Sequence, residues 1–202
     1  MKWKMGAAAI ALLGAIAAAG AQPAPAQRIA GTIKSAKGNT IVVRPHDGGS
    51  ALTVNLADKT SIVNVGKGTL ADVKPGAFIG VGAMPQADGS QRAIQVTVFA
   101  ESQRGVGEGF RPWDRVPNST MTNATVAETV ASVDGPVLTV KYKGGEKKIV
   151  VPSDATILAY SIGDKSDLKP GANVAVLRAK KASNGVLESD RVNVGRGEVI
   201  PR

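Results

Sequence analysis

One short stretch, used twice, limits what this chain can become. Residues 70–81 read Leu-Ala-Asp-Val-Lys-Pro-Gly-Ala-Phe-Ile-Gly-Val, and residues 165–176 read Lys-Ser-Asp-Leu-Lys-Pro-Gly-Ala-Asn-Val-Ala-Val. The shared core is Asp, an aliphatic residue and Lys-Pro-Gly-Ala, running straight into alternating apolar positions. Proline presets φ at the second position of a tight turn and glycine accepts the positive φ that follows, so Lys-Pro-Gly predicts a type II turn. Asp72 and Asp167 are placed to cap a short helical turn just before it. Each copy therefore reads as helical turn, tight turn, strand.

The rest of the chain repeats around this motif, and an internal repeat governs the whole fold reading. Ile29-Ala-Gly-Thr-Ile33 matches Val126-Ala-Glu-Thr-Val130, and Ser35 and Gly38 match Ser132 and Gly135. Ile41 and Val43 match Leu138 and Val140, Asp58 and Thr60 match Asp154 and Thr156, and Val96 and Val98 match Val192 and Val194. Order and spacing persist through each copy, as in a tandem duplication.

Within each copy the apolar period is two. Ile29, Gly31 and Ile33 alternate with polar residues, as do Ile41 and Val43, then Leu52, Val54 and Leu56. Ile79 and Val81 follow the turn, and Ile94, Val96 and Val98 close the copy. Alternating β-branched residues bounded by Gly, Asn and Asp are the strand signal. Three strands, a short helical turn and two more strands match the order of the OB-fold, a five-stranded, partly open barrel. Gly80 and Gly82 suit a sharp bend in the fourth strand. The expectation is all-β: two tandem five-stranded OB-like β-barrels, repeat 1 over 28–102 and repeat 2 over 124–198, each with its helical turn between strands 3 and 4. A small β-sandwich with the same strand count is the rival, and period alone does not separate them.

The N-terminus gives an address. Lys2 and Lys4 precede a run of Ala, Leu, Ile and Gly that ends in Ala19-Gly20-Ala21. A basic start, a short apolar centre and a small-x-small end predict a signal peptide over 1–21. The run is shorter than the roughly 20 apolar residues that cross a bilayer, and Pro23 and Pro25 follow at once. No later segment is long and apolar enough to span, which excludes a permease or channel, and with no Cys a lipoprotein anchor is excluded too. Cleavage removes two lysines and no acid from a chain of net charge +9, so the mature protein stays basic. Richness in Ala, Gly and Val with few aromatics points to a bacterial periplasmic or secreted protein. With no disulfides to form, each domain must rest on its core.

These residues resemble a family of secreted bacterial proteins built on a small OB-like β-barrel domain of unknown function. The shared features are an opening aliphatic-x-Gly-x-aliphatic strand (Ile29 to Ile33), Asp-x-Thr after the third strand (Asp58 to Thr60, Asp154 to Thr156), the Leu-Lys-Pro-Gly turn (Leu168 to Gly171, with Val73 leading in the first copy) and a closing alternating strand. The resemblance spans both copies, here as a tandem pair. It implies a fold and carries no catalytic residues.

Chemistry is sparse. The only His, His46, sits in Pro-His-Asp-Gly-Gly, which is turn chemistry. No Ser pairs convincingly with it, Gly105-Val-Gly107-Glu-Gly109 lacks the strand-to-helix context of a phosphate loop, and no Asp-x-Asp calcium loop is present. We expect no catalytic residues, no metal and no cofactor. The linker, residues 103–123, holds Phe110 and Trp113, the latter the one Trp beyond the signal peptide. They either plug the seam between barrels or contact a partner. In the second copy, Lys141, Lys143 and Lys147 line the hairpin between strands two and three, and Lys180 and Lys181 lie in the loop between strands four and five. That is the face on which OB-folds bind oligonucleotides and oligosaccharides, although a solvated, solubilising hairpin guarding an edge strand is the preferred account of the lysines. Alternation sends Tyr142 inward with Leu138 and Val140, leaving no aromatic for base stacking, so no nucleic acid is expected. The sequence thus predicts a non-catalytic envelope protein acting through contacts with another protein or, alternatively, through an anionic polysaccharide or lipid head group held by the basic face of repeat 2.

Overall fold

A computed structural model describes residues 26–201; the expected signal peptide lies outside them. The described residues form twelve strands and no α-helix. The first repeat supplies β1 (Gln27–Lys37), β2 (Thr40–Pro45), β3 (Leu52–Lys67), β4 (Phe78–Pro85) and β5 (Gln91–Val98). A short β6 (Gly109–Pro112) follows, then β7 (Thr120–Val130), β8 (Val137–Tyr142), β9 (Gly145–Val150), β10 (Thr156–Ile162), β11 (Asn173–Lys181) and β12 (Leu187–Gly195). No helix among these residues is long and apolar enough to cross a membrane.

The Lys-Pro-Gly turn forms in both copies. Ala77 N–H donates to Lys74 C=O and Ala172 N–H to Lys169 C=O, across Gly76 and Gly171 at φ of +86° and +87°. Each turn follows a three-residue 3-10 turn, Leu70–Asp72 or Lys165–Asp167. Asp72 and Asp167 sit at its end and reach back: Asp72 Oδ2 accepts from Thr69 N–H at 2.8 Å, and Asp167 Oδ2 from Asp164 N–H at 3.0 Å.

The strands then pair across the repeats. β1, β2 and β3 join β11 and β12, and the parallel pairing of β12 with β3 closes these five strands into a barrel. β7, β8 and β9 join β4 and β5, and Gln91 and Arg92 of β5 pair with Ile149 and Val150 of β9 to close a second ring. Residues 28–102 are therefore not one barrel, nor are 124–198. Each repeat keeps its first three strands and hands its last two to the other.

The handover starts in β3. Its sixteen residues extend about 50 Å, longer than a small barrel is tall. Residues 52–55 pair with β2, while Val63–Lys67 pair antiparallel with Leu158–Ile162 of β10. This β3–β10 seam joins the two rings and delivers each turn to the far side. Gly76 N–H donates to Val126 C=O and Val126 N–H to Ala77 C=O; Gly171 and Ile33 make the same exchange, with Ile33 N–H donating to Ala172 C=O. The apolar residue of each motif goes with it. Val73 joins the core of Ile79, Val81, Val126, Leu138, Val140 and Ile149, and Leu168 joins that of Ile33, Ile41, Val43, Val54, Val174 and Val192. Full burial of such a side chain stabilises by about 1.5–3 kcal/mol.

Three further expectations change. β1 and β7 share length, the burial pattern of their last seven residues and a bulge at the same step, after Ile33 and after Val126. Val126 therefore corresponds to Ile33, not Ile29, because the loop 131–136 is four residues longer than the loop 38–39. The linker is folded: β6 pairs with β7, which itself begins at Thr120 inside the expected 103–123 segment. Ile94 is not an inward position either, since the register skips it between Gly82↔Gln95 and Ala83↔Ala93, and Ala93 takes the core site.

Asp167 secures the seam. It accepts from Asn64 Nδ2 of β3 at 2.8 Å and pairs with Arg196 at 2.7 Å while only 13% exposed. The bond from Asn64, then that from Asp164 N–H, holds its carboxyl below the usual carboxylate range, and Arg196 adds to this. Because the folded-state pKa is depressed, the contribution is full above the unfolded value of about 4 and is lost as pH falls through the lower folded value. Asp167→Asn should lower stability by about 1.5–3 kcal/mol at pH 7, and the gap from the parent should narrow as urea melts move below about pH 4.

The exchange predicts the behaviour of a nicked chain. A protease site placed between the exposed Pro117 and Asn118 and cleaved in the folded protein should leave two fragments that co-elute in native gel filtration and part only in denaturant. Barrels closed within each repeat would release two separate fragments.

Candidate ligand-binding face

The aromatic residues of the linker divide into one that packs and one that is displayed. On β4, Ile79, Val81 and Ala83 point into the ring, so Phe78, Gly80 and Gly82 face outward. The glycines make room for rings. A Cβ built at Gly80 would lie 2.9 Å from Phe99 Cε2, and one at Gly82 would lie 2.7 Å from Trp113 Cε3. Phe99 in turn sits 5.5 Å from both Phe78 and Tyr160. Trp113 is held by its backbone N–H donating to Ser119 C=O at 2.9 Å, is half-buried, and carries the Arg115 guanidinium 5.9 Å from its ring centroid. It fills a wall position.

Phe110 is exposed. β6 places it opposite Thr122, on the inward-facing phase of β7, at the mouth of the second ring. Lys147 lies opposite Val140 on the same phase of β9, and its Nζ sits 4.6 Å over the Phe110 ring. Glu108 ties the linker to the β8–β9 hairpin by accepting from Lys143 N–H at 2.9 Å. Lys141, across from Glu146, and Lys148 are exposed on the outer phase of the same hairpin. Tyr142 packs inward, as alternation requires, so the aromatic surface comes from outside the hairpin. Sequence reading missed this convergence because nothing in local spacing tells that β6 continues the wall where β8 ends. The alternation of Phe110 with Arg111 was the available signal.

The structure separates the other candidates. Lys180 and Lys181 lie on β11, which belongs to the first ring, away from Lys141, Lys143 and Lys147. Lys180 pairs across from Glu188, and its neighbour Arg178 makes a 2.6 Å ion pair with Asp190. All four line an open cleft of about 420 Å³ whose charges offset one another. The loop that borders the lysine hairpin instead is residues 86–90 of the first repeat, because Gln91 pairs with Ile149. It carries Asp88 and no cation, so the basic face is smaller than expected, and it belongs to both repeats.

Comparison with protein-family models, curated proteins and solved structures yields no match for this chain.

The wall role of Trp113 is testable. Gly82→Ala forces the indole to move and should destabilise the protein by about 1–3 kcal/mol, with red-shifted Trp113 emission. Unchanged emission and stability would remove Trp113 from the wall.

Proposed function

We propose that this is a non-catalytic binding protein of the bacterial envelope, exported by its signal peptide, whose second ring holds an anionic polymer or head group. The carrying observation is the exposed Phe110 under Lys147 Nζ at 4.6 Å, on a hairpin that also carries Lys141, Lys143 and Lys148. Cations attract a polyanion, and an aromatic face gives a sugar ring or other flat apolar surface something to pack on. We read each ring as OB-like, in keeping with the resemblance to secreted small-barrel domains of unknown function, and this mouth is the side of strands two and three on which such folds bind. Contact with a partner protein through Trp113 has less support, since its indole is spent against Gly82.

With polygalacturonate as the probe, affinity should fall steeply with salt and vanish on combined Lys141→Glu, Lys143→Glu and Lys147→Glu substitution. Phe110→Ala should weaken it about two- to fivefold. Binding that ignores both salt and the lysines would overturn the reading.

A further inference from the structure

The two rings differ at positions where their strands correspond. In the first ring Ile29 of β1 pairs with Val176 and Leu187 of β12 pairs with Val54, and both side chains join the core. At the equivalent places in the second ring stand Thr122, which pairs with Val81, and Gln91, which pairs with Ile149. β5 and β12 open on the same buried, exposed, buried pattern, so the correspondence holds along the strand. Thr122 is fully buried and Gln91 is 3% exposed. Two aliphatic core positions are thus polar at one end of one ring.

The fold does not recover what this costs. Thr122 Oγ1 is buried without a hydrogen-bond partner among the described residues, and such a group forfeits its bonds to water with nothing in return. Thr120, two residues earlier on the same inward phase, donates from Oγ1 to Gln91 Oε1 at 2.7 Å, which holds the carboxamide at this end of the ring. Phe110 stands across from Thr122 in the β6–β7 register, with Lys147 Nζ 4.6 Å over its ring. β6 is four residues long and pairs, among the described strands, with β7 alone. Phe110 is 42% exposed, so its ring can turn aside on the fast timescale of surface rotamers without disturbing the core.

We propose that this mouth leads to an interior subsite for one sugar ring of an acidic polysaccharide. One ring hydroxyl bonds Thr122, another meets the Thr120–Gln91 pair, the sugar face lies on Phe110 and the sugar carboxylate meets Lys147. The inference rests on the reading of this mouth as an anion-binding face and goes further, to the class of polymer. Thr122, Thr120 and Gln91 are neutral, so they add nothing for a polyanion as such; they suit a ligand that carries hydroxyls beside its charge. A hydroxyl both donates and accepts, so a sugar O–H satisfies Thr122 in either sense. Lys147 leaves Phe110 at little cost, since a cation–π contact at an exposed site is weak, and it gains a carboxylate.

Polygalacturonate and polyglutamate of matched length are the probes, titrated into the full chain: both are polycarboxylates, and only the first carries ring hydroxyls. Thr122→Val, which keeps the shape and removes the hydroxyl, should weaken polygalacturonate about three- to tenfold and leave polyglutamate unchanged. Gln91→Leu, which copies the first ring, should act in the same sense. Thr122→Val should also raise Tm by about 2–4 °C, because it removes an unpartnered hydroxyl from the core. Polygalacturonate binding that still depends on Lys141, Lys143 and Lys147 but ignores both substitutions would overturn the subsite and leave the anion-binding reading standing. Equal weakening of the two polymers, or a fall in Tm on Thr122→Val, would overturn the subsite as well, the latter by showing the hydroxyl to be structural. No binding of polygalacturonate at all would overturn both.

Discussion

Backbone hydrogen bonds from each Lys-Pro-Gly turn to the opposite repeat's first strand hold the architecture together. Gly76 and Ala77 exchange bonds with Val126, and Gly171 and Ala172 with Ile33. With those bonds made, β4 must pair with β7, and β11 with β1. Neither core then contains residues from one repeat alone. A buried backbone amide without a partner is costly, so neither turn can leave its strand without stranding donors on both sides. The seam of β3 on β10 and the Asn64–Asp167–Arg196 cluster close the same crossing from the outside.

The exchange also shapes the surfaces. It places the β4–β5 loop of repeat 1 beside the lysine hairpin of repeat 2 and carries Lys180 and Lys181 to the other ring. It sets Tyr160 against Phe99. The candidate binding region is therefore composite: the ring mouth takes Phe110 from the linker and its lysines from β8, β9 and the turn between them.

Much of the local structure was legible. The turns at Gly76 and Gly171 require a residue free to adopt positive φ, and the alternation of Ile41 with Val43, or Leu138 with Val140, places those side chains inward without reference to any partner. Legibility failed where a bulge or a loop length intervened. The skipped residue at Ile94 reversed a phase that period two assigns, because an extra residue in one strand turns every later side chain over. The four-residue difference between the first hairpins slid the alignment of β1 and β7, since both offsets put an aliphatic residue on the inward face. Gly80 and Gly82 were rightly singled out as unusual, but what they accommodate, Phe99 and Trp113, comes from segments distant in sequence.

By itself the sequence determined an all-β chain, its duplication, the turn chemistry and the inward phase of most strands, because each depends on backbone preferences and periodicity within a few residues. Only the tertiary structure decided which strands share a ring. The two repeats present nearly equivalent edges, so pairing within a repeat and pairing across repeats satisfy the same local rules. The long β3 and the seam it forms with β10 select the crossed arrangement, and with it which lysines, aromatics and arginines meet.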